Sequence, residues 1–141
     1  MLLEKSKSLC EERAKKIISR DKKSRCVHRA INTAQNLVRQ YQIDEGVITD
    51  KTIQKCDFLV LNDEKMDAYL IELKGTDLRH ALEQLEQTER HLSAELRSYT
   101  LYYRIVYKAN THAIRSSEYV KFCKLKKNRV KASTDIIEEK I

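Results

Sequence analysis

Two runs in the middle of the chain, CDFLVLND (56–63) and DAYLIELKG (67–75), carry strongly apolar centres (FLVL and YLI) on either side of a short NDEKMD turn. That pattern predicts a β-hairpin. Folding it about the middle of the turn pairs Asn62 with Asp67 and carries Asp57 directly across from Glu72. Strand side chains alternate between faces, so Glu72 and Lys74 share a face and Asp57 joins them on it. Two carboxylates placed opposite each other repel. A hard cation between them turns that repulsion into binding, and Mg²⁺ typically takes one or two carboxylates plus phosphate oxygens.

The flanking sequence supplies the rest of an α/β fold. Residues 2–20 carry an imperfect apolar stripe (Leu2, Leu3, Leu9, Ala14, Ile17, Ile18) that predicts a helix, and DKKSRC (21–26) is a basic break. A second helix is expected over 28–38. From Val38, VRQYQI alternates as a first strand, Gly46 marks a turn, and a short strand is possible around Val47 and Ile48. The hairpin strands follow at about 56–62 and 67–74, ended by Gly75. Thr76 then caps a helix over 76–96 with Leu78, Ala81, Leu82, Leu85, Leu92 and Leu96 on one side. TLYYRIVYK (100–108) is β-branched and aromatic, hence a strand, expected to lie parallel to the one before it. A short helix near 116–124 and a basic tail, KLKKNRVK (124–131), complete the pattern, and the last ten residues either fray or add an edge element. The expected architecture is one domain over 1–141, an α/β sandwich with a mixed central sheet of about four to five strands flanked by helices.

Charge is unevenly spread along the chain. Residues 1–31 hold ten Lys/Arg against four Asp/Glu, residues 32–95 seven against thirteen, and residues 96–141 eleven against four, for a net +7. Basic flanks suit a polyanion and an acidic centre suits a metal. Solubility alone is the plainer account of such charge. No run of about 18 apolar residues occurs, so no membrane span is expected. The first residues lack the apolar stretch of a signal peptide, and a cytoplasmic protein is expected. The four cysteines match no zinc-ligand spacing and are expected as free thiols, with Cys56 and Cys123 in core positions. His28, His80, His91 and His112 show no metal-binding spacing, and no glycine-rich phosphate loop occurs, so no nucleotide cofactor is expected. Tyr103 and Tyr107 share a strand face and are expected in the core, with base stacking the alternative.

Asp57 at a strand start, Glu72-Leu73-Lys74 on the next strand, and then a helix and a strand resemble the PD-(D/E)XK nuclease superfamily. Restriction endonucleases and Holliday-junction resolvases belong to it. The likeness covers about residues 28–108, and Cys56 stands where the family usually has Pro. The resemblance implies a restriction-endonuclease-like fold and a Mg²⁺- or Mn²⁺-dependent endonuclease acting on branched or linear DNA, as in a junction resolvase or a small phage or defence nuclease. It also implies a homodimer. By the same resemblance, Asp57, Glu72 and the carbonyl of Leu73 would bind the metal, and Lys74 would orient the attacking water or steady the phosphate charge. Glu45, or failing it Glu11 or Glu12, would be the additional acid, and Gln84 would be the polar residue on the following helix. Arg25, Arg29, Lys124, Lys126, Lys127, Arg129 and Lys131 are candidate phosphate contacts. Two other readings stand beside the enzyme: a nucleic-acid-binding module that keeps the fold without turnover, and a protein-interaction domain with incidental charges.

Overall fold

The structure is a computed structural model that describes residues 2–75, 77–108 and 116–141, without the side chain of Lys74. It is an α/β fold of two mixed sheets and two helices. The strands are β1 (Lys16–Arg20), β2 (Val27–Ile31), β3 (Val38–Gln42), β4 (Phe58–Asn62), β5 (Asp67–Gly75), β6 (Thr100–Tyr107), β7 (Val130–Thr134) and β8 (Ile136–Lys140). The helices are α1 (Leu78–His91) and α2 (Ser117–Leu125). A five-stranded sheet runs β3-β4-β5-β6-β7, and a three-stranded sheet runs β1-β2-β8.

The hairpin forms in the expected register, with Asn62 opposite Asp67 and Phe58 opposite Ile71. Strand β6 lies parallel to β5, as the intervening helix allows. Alternation then sorts each strand between two cores. Leu59, Leu61, Leu70, Tyr103 and Ile105 pack with Leu78, Ala81, Leu82 and Leu85 of α1 and Phe122 of α2. Val60, Tyr69, Ile71 and Val106 pack instead with Ile17, Ala30 and Ile137 of the smaller sheet. The large sheet is therefore covered by helices on one face and by a second sheet on the other, where helices on both faces were expected.

The N-terminal helices are the main correction. Residues 2–20 form a single 3-10 turn at Leu3–Lys5, an extended segment and β1, and the segment expected as a helix over 28–38 contains β2. The extended segment covers the free edge of β3: the Leu9 N–H donates to the Gln40 carbonyl at 2.8 Å, and the Val38 N–H to the Glu12 carbonyl at 2.8 Å. An uncovered sheet edge invites unwanted pairing, and capping it outweighs the weak helix propensity of the sequence. Strand β2 is held from both sides, antiparallel by β1 and parallel by β8, and neither pairing is local enough to read from periodicity alone. Helix α1 also stops earlier than expected, at His91, although Leu92 and Leu96 beyond it stay buried. Its N-cap is Asp77, whose side chain accepts the His80 N–H; Thr76, the expected cap, lies outside the described residues.

The final residues add two strands, one to each sheet. Asp135, at φ 60°, makes the switch: its N–H donates to the Tyr107 carbonyl and its carbonyl accepts from the Val27 N–H, both at 3.0 Å. The four cysteines are free, with Cys26 and Cys56 buried and Cys10 and Cys123 half-buried. No described helix is long and apolar enough to cross a membrane.

Gly46 closes the turn after β3. A Cβ there would lie 2.1 Å from the Gln42 carbonyl oxygen, a contact no flexible side chain can relieve. We expect Gly46→Ala to cost about 2–3 kcal/mol in a denaturant titration, in the range of overpacked positions. Because Asp44 and Glu45 sit in that turn, the same variant is expected to disturb the site described next.

Candidate metal and phosphate site

Asp57 lies one residue before β4, and its backbone N–H donates to the Ile71 carbonyl at 3.1 Å, which extends the hairpin to the Asp57–Glu72 level. Leu59 and Leu70 face α1, so alternation puts Asp57 and Glu72 on that same face. One oxygen of Asp57 accepts the Leu73 N–H at 2.8 Å, which fixes the carboxyl against β5. Glu72 is only 6% exposed. Its Oε1 is buried without a hydrogen-bond partner among the described residues. Each carboxyl acts on the other electrostatically across the hairpin.

Burial is the largest influence on both groups and pushes both up. Asp57 titrates at about 6, and the hydrogen bond from the Leu73 N–H moderates its rise. Glu72 is held well above the ordinary carboxylate range by burial and then by the neighbouring Asp57 charge. Both carboxyls are thus shifted toward their protonated forms, Glu72 under the heavier burial.

Helix α1 braces the entry to β4. The Gln84 amide donates to the Lys55 carbonyl at 3.1 Å, and the Thr88 hydroxyl accepts the Cys56 N–H at 2.8 Å while donating to the Gln84 carbonyl. Gln84 thus acts on the backbone two residues before Asp57 and positions it. Lys55 is itself buried. Its ammonium donates to the Asp50 and Ile53 carbonyls and lies 3.7 Å from Asp44.

A cleft of about 280 Å³ opens over Asp57, lined also by Asp44, Glu45, Gln42, Phe58 and the turn residues Arg20, Asp21, Lys22 and Lys23. Glu45 is exposed on its rim at φ 63°. Asp44 is the acid whose charge pushes up both Asp57 and Glu72, and reading the sequence for an extra acid passed over it for its neighbour. Glu11 and Glu12 lie exposed on the N-terminal segment and do not line this cleft.

The donor set suits a small hard cation, since two carboxyls with a deficit of hydrogen-bond donors stand side by side. Among the described residues, no group of three or more His, Cys, Asp or Glu side chains is placed to hold a metal. The Leu73 side chain is buried in the inter-sheet core, and the β5–β6 register shifts between Leu73 and Gly75. The Lys74 side chain lies outside the described residues, and its backbone lies within β5.

The basic tail is not at this cleft. Lys126 lies 3.2 Å from Glu89 and over the rings of Tyr103 and Phe122. Arg129 donates to the Leu101 carbonyl, Lys131 is 3.6 Å from Glu139, and Arg29 is 3.7 Å from Glu138. Arg25, Lys124 and Lys127 are exposed. Tyr103 is buried as expected, and Tyr107 is half-buried. Comparison of the chain with protein-family models, curated proteins and solved structures found no match.

Proposed function

We propose that this chain is a metal-dependent phosphodiesterase acting on DNA, an endonuclease of the PD-(D/E)XK type with a restriction-endonuclease-like core. The observation that carries the reading is the buried Asp57–Glu72 pair, which is unfavourable as two bare carboxylates and suited to holding a divalent cation. Asp57 and Glu72 would hold Mg²⁺ or Mn²⁺, with the Leu73 carbonyl as a further oxygen. Such an ion, when bound, lowers the pKa of its water and takes up phosphate charge. The residues of the chain do the positioning. The Leu73 N–H fixes one Asp57 oxygen, and Gln84 and Thr88 hold the backbone that carries Asp57. Both carboxyls serve as ligands in their ionised forms, and ionisation of Asp57 is favoured as pH rises through about 6. Lys74 would steady the phosphate charge or orient the water.

The second reading, a binding module without turnover, is favoured by the absence of a three-carboxylate cluster among the described residues. Incubation with supercoiled, single-stranded and four-way-junction DNA, each with Mg²⁺, Mn²⁺ or EDTA, separates the two. The enzyme nicks at least one substrate with metal and none with EDTA. Salt-dependent binding without nicking assigns the chain to the binding module. Light scattering at the same concentration reports whether a homodimer forms.

A further inference from the structure

The cleft over Asp57 is lined by charges of both signs. Asp44, Glu45 and Asp57 contribute from the β3–β4 side, and Arg20 at the end of β1 with Lys22 and Lys23 of the following turn contribute the cations, beside Asp21. These three basic side chains are exposed, and none has an ion-pair partner among the described residues. The turn that carries them is pinned. Ser24 donates to the Asp21 carboxylate at 2.6 Å, the Cys26 N–H donates to the Ser24 hydroxyl, and the Asp21 N–H donates to the Cys26 carbonyl. The strand beneath is also tied down: the Gln40 amide on β3 donates to the Ile18 carbonyl at 2.9 Å and to the buried Ser19 hydroxyl at 3.0 Å. Unspent cations on a fixed turn, beside paired carboxyls, make a phosphate-receiving wall at low ordering cost.

We propose that Arg20, Lys22 and Lys23 receive the phosphates of a single nucleic-acid strand that runs through the cleft beside Asp57. The inference rests on the nuclease reading for its ligand class and adds the binding surface. At about 280 Å³ the cleft lies just below the roughly 300–1,000 Å³ of small-molecule sites, a size that matches one backbone unit. The shared chemistry is a phosphodiester backbone, which DNA and RNA both offer.

The test uses the full chain in EDTA, so that nothing is cleaved, with fluorescein-labelled single-stranded DNA and RNA oligonucleotides over a salt series. Wild type is compared with the triple variant Arg20→Gln/Lys22→Gln/Lys23→Gln and with the tail variant Lys124→Gln/Lys127→Gln. Each lost phosphate contact removes about 0.7 from the slope of log affinity against log salt on a single strand. The turn variant is expected to lose about 2 from that slope, with its melting temperature unchanged, and the tail variant to keep the wild-type slope. The arm that binds with the steeper slope identifies the polymer. A turn variant with the wild-type slope, beside a tail variant that loses it, overturns this inference and leaves the nuclease reading intact. Wild type that binds neither polymer and nicks no DNA with Mg²⁺ overturns both.

Discussion

Asp57→Asn and Glu72→Gln are each expected to abolish Mg²⁺-dependent cleavage and yet to make the metal-free protein more stable at pH 8. The sign follows from the raised carboxyls. Asp57 titrates at about 6 in the folded chain against an ordinary 3.8. Its contribution to stability is full below pH 4 and is lost as pH rises through 6, because the folded state then has to ionise a group that burial and its neighbours disfavour. At 1.36 kcal/mol per pK unit, the ionised form costs about 3 kcal/mol. Asn at 57 keeps an oxygen for the Leu73 N–H and removes the charge next to Glu72. For a chain of this size, a gain of about 2–3 kcal/mol raises the Tm by roughly 7–10 °C. Added Mg²⁺ is expected to raise the Tm of wild type at pH 8, since it binds the folded state alone, and to leave both variants unmoved. Thermal melts at pH 5 and pH 8, with and without Mg²⁺, check all of this without an activity assay. Variants that melt below wild type at pH 8, or that still respond to Mg²⁺, would refute the site.

Glu139→Gln is expected to be the most destabilising conservative change in the chain. Glu139 on β8 accepts from Arg104 Nε at 2.7 Å and Nη2 at 3.0 Å, and from His28 Nε2 at 2.7 Å. Arg104 is 4% exposed and lies over the rings of Tyr69 and Tyr102. Three strands from both sheets therefore meet at one carboxylate. Removing its charge leaves the Arg104 guanidinium buried and unpaired, at about 3–5 kcal/mol. The Tm is expected to fall by roughly 10–15 °C. Arg104→Met combined with Glu139→Leu removes both charges and is expected to recover most of that loss, which separates pairing from packing. Burial alone would raise the Glu139 carboxyl, but hydrogen bonds from His28 and Arg104, with the Arg104 charge, outweigh it and hold it at about 2. Its contribution is full above pH 4.5 and is lost as pH falls toward 2. The Asp57–Glu72 pair works in the opposite direction, so the metal-free protein is expected to be most stable between about pH 4 and 6.

The hairpin and its register were legible because a short polar turn joins two apolar runs, and folding about its middle pairs Asn62 with Asp67. Helix α1 was legible from its leucine spacing, and β6 from its aromatic and β-branched content. Strands β1 and β2 were not. In KIISR, two adjacent isoleucines hide an alternation in which Ile17 and Ser19 are buried and Ile18 is exposed. In VHRAI, Ala30 and Ile31 continue into Ala34, Leu37 and Val38 at near-helical spacing. What makes β2 a strand is β8, which no local pattern announces. The site divides in the same way. Asp57 and Glu72 came from the hairpin arithmetic, whereas the placement of Arg20, Lys22 and Lys23 beside them depends on how a second sheet is laid over the first. The tail drew notice as a run of positive charge, yet Lys126 and Arg129 are occupied in holding the chain together.

The crossing at Asp135 bears on the order in which the molecule assembles. Val27 finds its neighbour Ile136 only after more than a hundred intervening residues. The hairpin, α1 and β6 can condense early from nearby sequence. The smaller sheet waits for the distant strand to arrive, and such non-local closure is slow. Until then, β2 has an open side and the Arg104 guanidinium has no counter-ion. Refolding is therefore expected to pass through a species with its helix face formed and its opposite face bare, most exposed to proteases between β1 and β2.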